Sequence, residues 1–146
     1  MKDVAQILKA KPDPTVYTVG PSASVFDAIE LMAQKNLGAL LVLDGEAFVG
    51  VISERDCARK MVLTDRSPRE TPVSDIMSSP VQYVGPNHTH EECMALMTEK
   101  RLRHLPVLDN GKLIGLVSIG DLVKDIISEQ SFIIEQLEHY IKGVKG

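Results

Sequence analysis

Gly50-Val51-Ile52-Ser53-Glu54-Arg55-Asp56 decides the fold, because the chain writes it a second time as Gly115-Leu116-Val117-Ser118-Ile119-Gly120-Asp121. Each copy reads as the end of an apolar strand running into a helix. The serine stands where a helix N-cap is wanted, and the aspartate falls in the first turn, where negative charge meets the positive end of the helix. The duplication extends well beyond this motif. Val19-Gly20-Pro21 returns as Val84-Gly85-Pro86, and Leu31-Met32 as Leu96-Met97. Leu40, Val42, Leu43 and Asp44 return as Leu105, Val107, Leu108 and Asp109, each pair 65 residues apart with no gap. Two tandem copies of one unit are expected to pack about an approximate twofold axis and to form paired clefts lined by the repeated small polar residues.

Working outward, Val4, Ile7 and Leu8 are spaced for a short amphipathic helix over Asp3 to Lys9, and Val73 to Met77 repeats the pattern. Lys11-Pro12-Asp13-Pro14 is a loop, since its prolines cannot continue a helix. A strand at Val16–Val19 is matched by one at Val81–Val84, and both stop at Gly-Pro. Helices over Val25–Lys35 and His90–Lys100 follow N-cap candidates Ser24 and Thr89, the latter with Glu92 in a capping box. Their inward faces are Ala28, Ile29 and Met32 in one, and Cys93, Met94 and Met97 in the other. Two strand pairs come next, Leu40–Leu43 with Phe48–Ile52 and Leu105–Leu108 with Leu113–Val117. Asp44-Gly45-Glu46 and Asp109-Asn110-Gly111 provide the hairpin turns. These strands are almost continuously apolar, so both faces should be covered. A closing helix begins near Arg55 and stops around Leu63. Its counterpart begins near Gly120 and continues, with Leu122, Val123, Ile126, Ile127, Ile133, Ile134, Leu137 and Ile141 in helical spacing.

The predicted fold class is therefore α/β of the α+β kind: two pseudo-symmetric βαββα units packed sheet to sheet, plus a long C-terminal helix. The predicted division is 1–64 for the first repeat with its N-terminal helix, 65–72 for a linker, 73–127 for the second repeat and 128–146 for the helical extension. Neither repeat would bury a large core alone, so the halves are expected to share one. The apolar stripe of the extension is read as facing a partner, most simply in a homodimer. Folding back over its own sheet is the other reading.

Composition excludes several classes of function. A formal net charge of −4, from 16 basic and 20 acidic residues, argues against a broad nucleic-acid surface. No apolar run reaches the length of a membrane span, and the N-terminus has no signal-peptide core, so a cytoplasmic protein is expected. Cys57 and Cys93 have no metal-ligand spacing and read as buried thiols. His88-Thr89-His90 shows no third ligand, so no metal is predicted. Arg55, Arg59, Lys60, Arg66 and Arg69 read as a solvated helix face and linker rather than a polyphosphate site.

Chemistry resides in the repeated Ser-x-x-Asp. The carboxylate suits the two hydroxyls of a ribose, and the serine hydroxyl with free helix amides suits a phosphate. Simple helix capping by the same residues is the competing reading, and a duplication would copy a cap too.

Taken together, the two Gly-h-h-Ser-x-x-Asp segments, the strand Arg103-His104-Leu105-Pro106-Val107-Leu108-Asp109 and the Val-x-x-Ile-Met segment before the second repeat resemble a tandem pair of CBS domains. This is the cystathionine beta-synthase type, also called a Bateman module, here in the stand-alone bacterial form. The resemblance covers residues 3 to 127. It implies adenosine-ligand binding in two clefts, each combining the Ser and Asp of one repeat with the first strand of the other. In one cleft Ser118 and Asp121 would hold phosphate and ribose, with Thr15, Val16 and Tyr17 bordering the adenine. The mirror cleft would use Ser53, Asp56, Pro80, Val81 and Tyr83. Ala39-Leu40 and Leu105-Pro106 would wall the base. Arg103 and His104 would meet phosphate in the first cleft, where the other repeat has Gly38 and Ala39. Arg55 stands in the first motif where the second has Gly120. The clefts should therefore differ.

The implied function is a non-catalytic regulatory module that binds an adenine nucleotide and signals by conformational change to an unidentified protein. AMP or ADP is favoured, and ATP or NAD remains open. S-adenosylmethionine fits less well beside Arg103 and His104, because its sulfonium is cationic. The alternative is a ligand-independent interaction protein acting through its C-terminal helix. An enzyme ranks last, since neither serine has a matched histidine.

Overall fold

The computed structural model describes residues 3–13, 15–79 and 82–142. Helices begin where a side-chain oxygen replaces a missing backbone acceptor. Asp3 accepts from the Gln6 amide at the head of α1 (Val4–Lys9), and Ser24 from Asp27 at the head of α2 (Val25–Lys35). Ser53 accepts from Asp56 before α3 (Glu54–Thr64), Thr89 from Glu92 before α4 (His90–Lys100), and Ser118 from Asp121 before α5 (Ile119–Ile141). α2 and α4 also end alike, on Asn36 and Arg101 with φ of 55° and 56°. That left-handed cap releases the chain toward the next strand.

Strands β1 (Thr18–Val19), β2 (Ala39–Asp44) and β3 (Ala47–Ser53) form one sheet in that order, β1 parallel and β3 antiparallel to β2. Strands β4 (His104–Asp109) and β5 (Lys112–Ser118) form the other. The duplication holds to the hydrogen bond. Ala39 faces Ser53 as His104 faces Ser118, and both hairpins carry an irregularity at the same place, Val42/Leu43 and Val107/Leu108. Asn110 and Gly111 both have positive φ, as a type I′ turn requires.

The opening strand of each repeat is shorter than expected. In the first, only Thr18–Val19 is strand, although the Leu41 amide still reaches the Tyr17 carbonyl at 3.4 Å; the Thr15 amide bonds to the Asp13 carboxylate. In the second, Val81 lies outside the described residues and Val84 makes a single parallel bridge to Val107. The expected helix at Val73 to Met77 shrinks to one 3-10 turn, Val73–Asp75, because the chain then pairs with β3: Ser78 exchanges backbone hydrogen bonds with Val51.

The expectation of one shared core is corrected by strand alternation. Leu40, Val42 and Ile52 point to α2 and α3 and form a core with Val25, Ala28, Met32 and Cys57. Leu105, Val107, Val117 and Leu122 form a second core with Cys93 and Met97. The opposite strand faces, Ala39, Leu41 and Val51 against Leu113 and Leu116, join sheet to sheet. The repeats also exchange their leading segments. Val4 and Ile7 of α1 complete the second core, and Val73 and Ile76 complete the first. The Val4 amide donates to His88 O and the Val73 amide to Ala23 O, both at 2.8 Å. Neither core is whole without chain that precedes the other repeat.

α5 does not fold back over its own sheet. Every residue from Gln130 to Lys142 is exposed, with Phe132 61% and Leu137 55% accessible.

Candidate functional site

A cleft of about 260 Å³ opens where the first strand of repeat one meets the last strand of repeat two. Thr15, Val16, Tyr17, Ala39 and Leu41 line one wall, and Ile114, Gly115 and Leu116 the other. Leu8, Lys9, Lys11, Asp13, Lys35 and Leu37 complete its mouth. Ala39 and Leu41 share a strand face, so the apolar wall is Ala39-x-Leu41. Leu40 does not contribute, since alternation turns it into the first core, where it is fully buried, and Leu105 is likewise buried in the second core. Pro106 is buried and pairs with Leu116 across the hairpin.

Lys11 ties this cleft to the repeated motif. Its ammonium donates to the Leu116 carbonyl at 2.9 Å and stands 3.1 Å from the Asp121 carboxylate. Asp121 also accepts from the Ser118 amide at 2.9 Å while the Ser118 hydroxyl accepts from the Asp121 amide, a complete capping box. Both residues thus cap α5; neither lines the cleft, and Asp121 reaches it through Lys11. Lys11 was not singled out from the sequence, because its repeat counterpart is Ile76 and a search for repeated residues passes over it.

Three lysines, Lys9, Lys11 and Lys35, surround the mouth. Lys35 lies 5.5 Å from the Tyr17 ring centre, close enough for a cation–π contact. The Tyr17 hydroxyl donates to Asp13 at 2.7 Å. That bond, with those from Thr15, lowers the Asp13 pKa to about 2, and the same Tyr17–Asp13 bond raises that of Tyr17. Arg103 and His104 take other places. Arg103 is exposed and accepts the Ile119 amide through its carbonyl. His104 lies with its ring against Gly38, between the charges of Asp121 and Asp56. Burial pushes its pKa below the usual histidine value.

The mirror position is built differently. Asp56 accepts from the Ser78 hydroxyl at 3.1 Å, and Ser78 is bound to Val51 through both backbone groups. A Cβ on Gly50 would meet Ser78 O at 2.9 Å, so the linker lies directly on the motif glycine. Arg55 and Tyr83 are exposed, and Pro80 and Val81 lie outside the described residues. A separate, more open groove of about 540 Å³ touches Phe48, Met77 and Tyr83, and none of its lining residues is charged.

The basic residues of α3 and the linker are largely occupied. Lys60 donates to Ile76 O at 2.8 Å, Arg66 pairs with Asp75 at 2.6 Å, and Arg69 stacks on Phe26 at 3.7 Å. Among the described residues, no helix is long and apolar enough to cross a membrane.

The family model of the CBS domain matches residues 3–63 and again 73–128. The mitochondrial CBS domain-containing protein CBSX3 of Arabidopsis thaliana is 39% identical over 125 residues, 82% of this chain. The chain spans 61% of that relative's length. A proposed signal-transduction protein with CBS domains from Burkholderia ambifaria MC40-6 superposes with a TM-score of 0.85 at 60% identity, covering 88% of this chain and 96% of its own. CBSX2, solved in complex with AMP, superposes with a TM-score of 0.73 at 28% identity, covering 89% of this chain and 99% of its own.

Proposed function

Since the chain belongs to the CBS-domain family, we propose that it is a regulatory module whose Lys11/Asp121 cleft takes an adenine nucleotide, AMP or ADP before ATP or NAD. One observation carries the reading: a carboxylate at a helix N-terminus, bridged by a lysine to a cleft with apolar walls and a lysine-rich mouth. The walls suit a purine face, and the segment Thr15 to Tyr17 borders its edge. Asp121 suits ribose hydroxyls, and Lys9, Lys11 and Lys35 suit phosphate. An adenine complex of the related CBSX2 supports the ligand class. In this reading 1–64 and 73–127 are the two repeats, 65–72 links them, and 128–146 extends the second. The ligand works by favouring one arrangement of the repeats, and it shifts that balance only by its differential affinity for the two states. No catalytic step is assigned. The output passes to another protein, and the exposed apolar face of α5 supports a homodimer.

The test is thermal unfolding with AMP, ADP, ATP, NAD or S-adenosylmethionine, using the parent, Asp121→Ala and Asp56→Ala. A ligand at 100 times its dissociation constant adds about 2.7 kcal/mol, roughly 5–10 °C for a chain this size. Stabilisation by one nucleotide, lost in Asp121→Ala and kept in Asp56→Ala, is expected. No shift with any ligand overturns the reading and favours a ligand-independent interaction protein acting through α5.

A further inference from the structure

His90, Asp125 and Glu129 bring a ring nitrogen and two carboxylate oxygens within 4.8 Å of one another where α4 packs on α5. His90 and Asp125 are buried, 6% and 7% accessible, and Glu129 is half-buried at the rim. Asp125 and Glu129 are one turn apart on α5 and share a face. From the sequence, His90 lacked a third partner, because its own segment offers only His88, which turns away and accepts the Gly85 amide at 2.9 Å. The fold supplies the partners from a helix some 30 residues on.

The internal repeat makes this cluster informative. The positions 65 residues earlier are Val25, Lys60 and Thr64. Val25 is a fully buried core residue, and Lys60 reaches across to the Ile76 carbonyl. The second repeat has put an imidazole in place of that apolar side chain and a carboxylate in place of the lysine. Duplication cannot account for the set, and neither can the nucleotide cleft, which uses none of these residues.

The geometry is that of ligands converging on a point. His90 Nδ1, itself buried, lies 3.2 Å from an Asp125 oxygen. At metal–ligand bonds of 2.0–2.2 Å, neighbouring donors of a tetrahedral zinc site stand about 3.3 Å apart. A nitrogen with two carboxylate oxygens suits a borderline divalent ion such as zinc, with one position left for water.

We propose that His90, Asp125 and Glu129 form a binding site for a divalent transition-metal ion, with zinc as its best-fitting occupant, clamping α4 to α5. The proposal is independent of nucleotide binding. Asp125 lies one turn beyond Asp121 on the same helix, so an ion here would also brace the helix that carries the cleft's carboxylate.

The experiment uses the full chain stripped with EDTA. Zinc affinity and stoichiometry are read by competition with a chromophoric chelator, and Co²⁺ substitution is read by visible absorption. One ion per chain with a tetrahedral cobalt spectrum is expected. Glu129→Gln should weaken binding by at least about tenfold, and His88→Asn should leave it unchanged. His90→Val restores the side chain of the matching position in repeat one, so it tests the ligand while keeping the core filled; it should abolish the cobalt spectrum. Failure of zinc to compete, or binding undiminished in both His90→Val and Glu129→Gln, overturns the proposal and leaves a histidine–carboxylate ion pair in its place.

Discussion

Alanine at Gly50 is expected to destabilise the protein by about 3 kcal/mol, while alanine at its repeat partner Gly115 should stay within about 1 kcal/mol of the parent. The new Cβ at Gly50 would lie 2.8 Å from Met77 Sδ and 2.9 Å from the Ser78 carbonyl oxygen. The methionine can move away, but the carbonyl cannot. Ser78 O accepts the Val51 amide at 3.2 Å and the Ser78 amide donates to Val51 O at 2.8 Å. Pushing this segment off β3 costs about 1–3 kcal/mol of overpacking and weakens two backbone hydrogen bonds of about 0.5–1.5 kcal/mol each. The lower entropy of the unfolded alanine chain offsets about 0.4–1 kcal/mol. At Gly115 the nearest atoms to the Cβ are all in the Leu8 side chain, the methyl carbons at 2.8 and 2.9 Å and Cγ at 3.4 Å. A displaced leucine rotamer costs about 0.5–1.5 kcal/mol, close to the same entropic gain. Urea unfolding followed by circular dichroism measures both, and hydrogen exchange at the Val51 and Ser78 amides shows whether the bridge opens in Gly50→Ala. Equal losses at the two glycines, or no loss at Gly50, would refute the claim that the linker is pinned to one motif and a movable side chain to the other.

Two further outcomes follow from buried titratable groups. His104 has its pKa lowered by burial, so the unfolded chain takes up its proton first. This group's contribution is undiminished above the ordinary histidine pKa of about 6.5 and is lost as pH falls from there toward the folded value. His104→Gln should flatten the stability profile between neutral and mildly acid pH, relative to the parent; a difference that does not change with pH would show that the ring titrates normally. Cys57 and Cys93 are 1% and 0% accessible, and burial pushes both thiols up to about 11. At pH 8 only about 0.1% would be thiolate, so a disulfide reagent should label the native protein slowly and the denatured protein at once. Rapid native labelling at either cysteine would contradict the packing described.

The helices, hairpins and repeat offset were legible because local chemistry sets them. Ser24 and Thr89 start α2 and α4 at the expected residues, and Asn110-Gly111 can adopt the turn that the register needs. The opening strands were over-extended because their fate is non-local. Their length is set by pairing with β2 and with Val107, and nothing within Val16–Val19 announces where that pairing stops. The exchange of leading segments was hidden for the same reason: Val4 and Val73 have equivalent patterns, and pattern does not say which core receives them. Thr15, Val16, Tyr17 and Ala39 line the cleft, but Leu40 does not, because a single-residue step reverses a strand side chain. Lys9, Lys11 and Lys35 escaped notice as ordinary solvent-facing lysines.

A duplicated motif says little about which copy acts, since capping serines and their aspartates are inherited together. The informative positions are those where the copies have parted. Asp121 is held by a lysine, whose flexible stem can swing from the carboxylate to an incoming phosphate, so ligand entry exchanges one ion pair for another and leaves the backbone intact. Asp56 is held by the Ser78 hydroxyl, on a segment paired through two backbone hydrogen bonds to Val51, so freeing that carboxylate means peeling a strand bridge away from the sheet. The first opening costs a side-chain rotation and the second costs secondary structure. Substituting Ser78 by alanine would release the Asp56 oxygen but leave the bridge in place. The asymmetry between the clefts therefore lies in how the chain is routed before each repeat.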